Sequence, residues 1–124
     1  MTDGPMPIFK TWDVVKVPFP YTDRPARQHR PALVVAAGQI EAVHGLLWVL
    51  MITSAENRRW PDDVAISDQT KAGLPAPSVI RCAKIATIES ADAARIGSLS
   101  AADQKRVAEI VARTLATAAA PNRK

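Results

Sequence analysis

LLWVLMITS, Leu46–Ser54, is the most apolar stretch of the chain, and its reading decides the fold. The apolar run from Leu46 to Ile52 is far shorter than the roughly 20 residues that a membrane-spanning helix needs. Its length argues instead for a strand covered on both faces. PALVVAA, Pro31–Ala37, is a second run of the same kind, short and rich in Val. Gly38, Gly45 and the polar residues between these two runs read as a connecting loop.

Working outward toward the N-terminus, Trp12 to Phe19 carries Val15, Val17 and Phe19 on alternate positions. This is the period of a half-buried strand, and Pro18 and Pro20 put its end at an edge or rim. Tyr21 to His29 then reads as a surface loop. On the other side, Glu56 to Asp62 is a polar loop, Asp63 to Ile66 a short strand, and Lys71 to Pro77, with one Gly and two Pro, a turn. Ser78 to Ala83 and Ile85 to Glu89 supply either a further strand pair or one bent strand.

Beyond this the pattern turns helical. Ala91 to Arg95 is expected as a short helix with Gly97 as its exit. Ser100 with Asp103 makes a capping-box pattern, followed by Val107, Ile110, Val111 and Leu115 at helical spacing. That predicts an amphipathic helix packed on a sheet and stopped before Pro121. The expected fold class is therefore mainly β with α (α+β). It is a single domain over 1–124, with its core at about 8–118, built as a small barrel or strongly curved sheet with a C-terminal helical cover.

A chain of 124 residues buries one core. The first residues, Met1 to Lys10, lack the basic-then-apolar pattern of a secretory signal, and the lone Cys82 fits a reducing compartment, so a cytoplasmic protein is expected, away from membranes. Sixteen Lys and Arg against twelve Asp and Glu give a net charge of +4, which suits a polyanionic partner. The basic residues gather in two expected loops, Arg24, Arg27, His29 and Arg30 in one and Arg58 and Arg59 in the other.

Several chemistries are absent by residue type. There is no phosphate-loop, dinucleotide-binding or GxSxG motif. One Cys and two His do not make the usual zinc ligand set, and the adjacent carboxylates Asp62 and Asp63 point in opposite directions on an extended chain. The expected site holds no metal and no cofactor, unless the chain has no catalytic site at all.

Four stretches in order resemble the MazF/PemK toxin family: DVV leading to PFPYTD (Pro18–Asp23), RPALVV (Arg30–Val35), MITS (Met51–Ser54), and PSVIR (Pro77–Arg81) followed by KIATIE (Lys84–Glu89). The pattern Ile96-Gly97-Ser98-Leu99 before the last helix is also similar, so the likeness spans about residues 8 to 115. It implies an SH3-like β-barrel (the CcdB/Kid/MazF-like toxin fold) with appended helices and a homodimer. It further implies a type II toxin: a sequence-selective endoribonuclease acting on single-stranded RNA and opposed by a cognate antitoxin. The Arg of the RPALV motif and the Thr of the ITS motif are the family's catalytic pair, here Arg30 and Thr53. The VR dipeptide adds Arg81 as a third candidate, against the simpler reading of a surface ion pair.

Physical chemistry gives these residues roles. A permanently charged guanidinium with a planar fork of donors suits Arg30 to charge stabilisation on phosphate, and makes it a poor base. The Thr53 hydroxyl suits hydrogen bonding to the scissile phosphate. Some family members carry an acid-base carboxylate where this chain has Ala83, which leaves proton transfer to another group; His29, beside Arg30, is the candidate, with the carboxylates Asp23 and Glu56 as others. RNA contacts are expected from Arg24, Arg27, Ser54, Arg58, Arg59, Ser78 and Lys84. Trp60 either stacks on a base or anchors its loop, and Trp48 belongs to the core or a dimer interface. The family's Gly before the first strand is Trp12 here. Two other functions share the fold, a CcdB-like gyrase poison without nuclease chemistry and a catalytically silent RNA- or antitoxin-binding module.

Overall fold

The computed structural model describes residues 8–19 and 28–120. Six strands, β1 (Asp13–Phe19), β2 (Gln28–Ala36), β3 (Leu46–Ser54), β4 (Asp63–Ala65), β5 (Ser78–Glu89) and β6 (Ala94–Ser98), form one sheet in the order β4-β5-β3-β2-β1-β6. Every pairing is antiparallel. Among the described residues the sheet is not closed, since β4 and β6 are its two edges.

The two apolar runs are indeed covered on both faces. Along β2, Leu33 joins one buried cluster while Ala32 and Val34 join another; along β3, Leu50 and Ile52 divide in the same way from Leu47, Val49 and Met51. Alternate residues on a strand point to opposite faces, so the two clusters lie on opposite sides of the central strands. The first cluster is closed by Val64, Ala72, Leu74 and Val107 of the helix α2 (Ala101–Ala119). The second gathers Phe9, Val15 and Val17 with Ala86 and Ile88 packed against it.

β5 is one strand and not a pair. Its register against β3 passes from Leu50↔Ile85 directly to Met51↔Arg81, which leaves residues 82–84 as a bulge. Such an insertion bends the strand and increases its local twist. Two expectations need correction. The segment after Gly38 is a helix, α1 (Gln39–His44), closed by Gly45 in the left-handed region with its N–H donating to the Glu41 carbonyl at 2.8 Å. Two turns are too few for a helical period to stand out. Conversely, the helix expected over Ala91 to Arg95 is a 3-10 turn, Ser90–Asp92, followed by β6. Arg95 and Ala94 pair with Val15 and Lys16 of β1, so edge pairing overrides the local alanine-rich propensity. Gly97 is no helix exit: a Cβ there would stand 2.3 Å from the Ala72 carbonyl carbon, so its role is close backbone approach.

The Ser100 cap is present, its Oγ accepting from the Asp103 N–H at 3.4 Å. The Asp103 carboxylate does not return to the Ser100 backbone, as a reciprocal box requires. It accepts from the Ser67 N–H at 2.7 Å, the Ser67 hydroxyl at 3.0 Å and Arg106 at 2.7 Å, which ties α2 to the chain after β4. Leu115, expected on the buried stripe of α2, is 46% exposed, and Trp48, 42% exposed, is not a core residue. Among the described residues no helix is long and apolar enough to cross a membrane.

Candidate functional site

At one end of the central strands the sheet opens into a cleft of about 480 Å³. Its lining comes from Lys16 on β1, Gln28 to Pro31 on β2, Ile52 to Ser54 on β3, Asn57, the segment from Gly73 to Ser78, and Ile96 on β6. The 73–78 wall is fixed by contact with β6. Gly73 has φ +74° and lies so close to the Ile96 carbonyl that a Cβ would stand 2.0 Å from its oxygen, leaving room for glycine alone.

Arg30 and Thr53 both line this cleft. The β2–β3 pairing ends at Ala32↔Met51, and Arg30 and Thr53 each lie two residues beyond that last pair on their own strands. Each of the two is held by a side-chain amide from the same lining. Arg30 Nη2 donates to Gln28 Oε1 at 3.2 Å, and Asn57 Nδ2 donates to Thr53 Oγ1.

His29, Ser54 and Ser78 also line the cleft. Ser54 Oγ accepts from the Glu56 N–H at 3.1 Å, and Ser78 Oγ donates to the Ala76 carbonyl at 2.9 Å, so both hydroxyls are engaged in local turns. Among the described residues the lining thus contains the cations Lys16 and Arg30 with His29 and no carboxylate. A site of that charge is suited to an anionic ligand.

Arg81 lies outside the lining. Its side chain is only 11% exposed and forks onto Asp63, Nε donating to Oδ1 at 3.3 Å and Nη2 to Oδ2 at 3.1 Å. Nη2 also donates to the Arg58 carbonyl at 2.7 Å, and the guanidinium sits 4.2 Å over the Trp60 ring. The Trp60 N–H donates to Asp63 Oδ2 at 2.9 Å. Burial alone raises the Asp63 pKa, but Arg81, the Trp60 N–H and the more distant Arg59 outweigh it and hold the carboxyl below its ordinary 3.8. Arg81 and Trp60 therefore frame the loop between β3 and β4. Asp62, the neighbouring carboxylate, turns the other way and accepts from Arg113 of α2 at 2.9 Å.

Arg58, Arg59 and Lys84 are exposed and are not part of the lining, and Ala83 sits exposed on the β5 bulge. Cys82 is buried and its thiol is pushed up to about 11, first by burial and then by the charges of Asp62 and Asp63. Arg24, Arg27 and Asp23 lie outside the described residues. Among the described residues no group of three His, Cys, Asp or Glu is placed to hold a metal ion.

Lys16, Gln28, Pro31, Ile52, Asn57, the 73–77 wall and Ile96 are the lining residues that sequence reasoning missed. Gln28 was within reach, since it precedes Arg30 by two on the same strand face. Lys16 reads in the sequence only as the polar position of an alternating strand. Asn57 depends on a turn, its N–H donating to the Ser54 carbonyl at 3.1 Å, that no residue pattern announces.

The family described as PemK-like, MazF-like toxin of type II toxin-antitoxin system matches residues 10–115. No curated protein matches the chain. Among solved structures, MazF in a MazE–MazF crystal structure from Deinococcus radiodurans superposes with a TM-score of 0.69 at 18% identity, covering 86% of this chain and 94% of that one. The Mycobacterium tuberculosis toxin MazF-mt6 gives 0.65 at 23% identity, over 84% and 96%. A mycobacterial endoribonuclease in complex with its cognate antitoxin gives 0.63 at 17% identity, over 85% and 92%. At these identities the likeness is one of fold.

Proposed function

As the chain belongs to the PemK-like, MazF-like toxin family of type II toxin–antitoxin systems, we propose that it is an endoribonuclease that cuts single-stranded RNA at the cleft bearing Arg30 and Thr53. The observation that carries this reading is that these two residues, from neighbouring strands, line one cleft whose described lining holds Lys16 and Arg30 and no carboxylate. An unpaired strand exposes the base edges that an A-form duplex hides, and a cleft open at a sheet end can receive it.

The ribose 2′-oxygen attacks the neighbouring phosphorus, the bond from phosphorus to the 5′-oxygen breaks, and a 2′,3′-cyclic phosphate and a 5′-hydroxyl are left. The 2′-hydroxyl loses its proton and the departing 5′-oxygen gains one. RNA supplies its own nucleophile, so the reaction asks for no metal. Arg30 neutralises charge that accumulates on the phosphoryl oxygens, and Thr53 donates to one of them. His29, on the same lining, is the group assigned to proton transfer, since Ala83 offers no carboxylate and lies away from the cleft. Lys16 adds a second cation for a flanking phosphate.

In the cell the protein acts in the cytoplasm as a homodimer opposed by a cognate antitoxin. The antitoxin neutralises the cleft with an acidic segment that orders on binding.

The test is incubation of the purified protein with mixed-sequence RNA in chelator, with mapping of the ends. Cleavage to 5′-hydroxyl ends is expected, with Arg30→Ala slower by roughly 10²–10³-fold, the range for removing a donor to a developing oxyanion. An intact RNA pool with inhibited gyrase would mark a gyrase poison on this fold, and RNA binding without cutting a silent binding module. A cleavage rate and pH profile unchanged in His29→Ala would take His29 out of the mechanism.

A further inference from the structure

We propose that Asn57 is a positioning residue whose side-chain amide aims the Thr53 hydroxyl, making it a donor toward a phosphoryl oxygen in the cleft. This inference rests on the reading of the cleft as an RNA-cutting site. A threonine hydroxyl carries one proton and two acceptor lone pairs, and its rotation is settled by its partners. Asn57 Nδ2 donates to Thr53 Oγ1, and both residues line the cleft. With an N–H pointed at one lone pair, the hydroxyl proton has to face elsewhere, and the nitrogen that donates offers it no acceptor.

The amide is itself held in place from two sides. The Asn57 N–H closes a turn on the Ser54 carbonyl at 3.1 Å, which brings its side chain back over Thr53, four residues earlier. One residue on, the Arg58 carbonyl accepts from Arg81 Nη2 at 2.7 Å, and Arg81 is locked on Asp63. The ion pair that keeps Arg81 out of the cleft thus steadies the loop that presents Asn57 to it. Gln28 stands in the same relation to Arg30, its Oε1 accepting from Nη2 at 3.2 Å. Each of the two proposed catalytic side chains thus has a neutral amide among its partners.

Asn57 is exposed, so its substitution spares the core. The experiment measures RNA cleavage by wild type, Asn57→Ala, Thr53→Val and the double variant, with thermal unfolding as the check on folding. Asn57→Ala is expected to lower kcat about tenfold, with KM within about twofold, because a misaimed donor forfeits part of what a transition-state hydrogen bond supplies. On the Thr53→Val background the same change should cost nothing more, since the hydroxyl it acts through is gone. In NMR spectra the Asn57 side-chain amide signals should move in Thr53→Val. If wild type leaves RNA intact, the reading of the cleft falls and the role of Asn57 with it. If wild type cuts but Asn57→Ala keeps its kcat, or loses as much with Val at position 53 as with Thr, the positioning role alone is overturned. Side-chain amide signals unmoved by Thr53→Val would likewise overturn it.

Discussion

Trp12 enters β1 with φ 82°, a left-handed conformation that side chains other than glycine rarely adopt. The family resemblance puts a glycine here, and the backbone keeps the shape that a glycine would take. Its N–H donates to the Val34 carbonyl at 2.8 Å and its carbonyl accepts from the Leu99 N–H at 2.9 Å, so pairing on both sides holds the conformation. The indole packs on the cluster under α2, and that burial offsets the strain. Two truncations separate the terms. Trp12→Ala loses the ring and keeps the strain; Trp12→Gly loses the ring and relieves it. Both are expected to be less stable than wild type, with Trp12→Gly the more stable of the two by about 1 kcal/mol, the usual cost of a Cβ in this region. Urea unfolding of the pair measures the difference, and an alanine variant equal to or more stable than the glycine variant would show that no strain is stored at this position.

At the scale of elements, the strands from apolar runs were legible and the short or tertiary-dependent pieces were not. LLWVLMITS and PALVVAA fall in β3 and β2 because their length and composition suit burial on two faces, whatever the neighbours. α1 was missed because two turns carry no period. β6 was mistaken for helix because only its partner β1 reveals it. The site divides in the same way: position on a strand put Arg30 and Thr53 at the rim, but no sequence pattern tells that Arg81 meets Asp63 or that Asn57 folds back. That ion pair joins β4 to β5 and carries a prediction of its own. Removing one partner of a buried pair costs about 3–5 kcal/mol, since the other charge is left uncompensated. Asp63→Asn is expected near the lower bound, because an amide oxygen still accepts from Arg81. Asp63 is held below its ordinary 3.8 in the folded state, so the pair's stabilisation is complete above about pH 4 and is lost as pH falls through the lowered value. Urea midpoints of wild type and Asp63→Asn should therefore stay far apart from pH 5 to 7 and converge below pH 4. A gap independent of pH would mean that the carboxylate is not held by charge.

At the scale of the whole molecule, a net charge of +4 is modest, and what matters is where it lies. Of the buried or half-buried carboxylates, Asp13, Asp63 and Asp103 are each paired with an arginine of the fold, Arg95, Arg81 and Arg106, and Glu41 accepts from the Ile8 and Phe9 N–H groups, so their charge is spent internally. Among the described residues, the lining of the cleft holds Lys16 and Arg30 and no acidic residue. On the proposed function, this directs a polyanion to the end of the sheet where Arg30 and Thr53 stand. Binding a single strand through phosphates releases condensed counterions, and each contact contributes about 0.7 to the slope of log affinity against log salt. An uncleavable RNA, with the 2′-hydroxyls replaced by hydrogen, isolates that term from catalysis. Lys16→Met is expected to weaken its binding at low salt and to reduce the slope by about 0.7, with little effect at high salt, where the released ions no longer drive association. Exposed Lys105 on α2, away from the lining, is the control: Lys105→Met should leave the slope as it is. Equal slopes for wild type and Lys16→Met would place the strand's phosphates somewhere other than along β1, and would overturn the proposed path of RNA past Arg30.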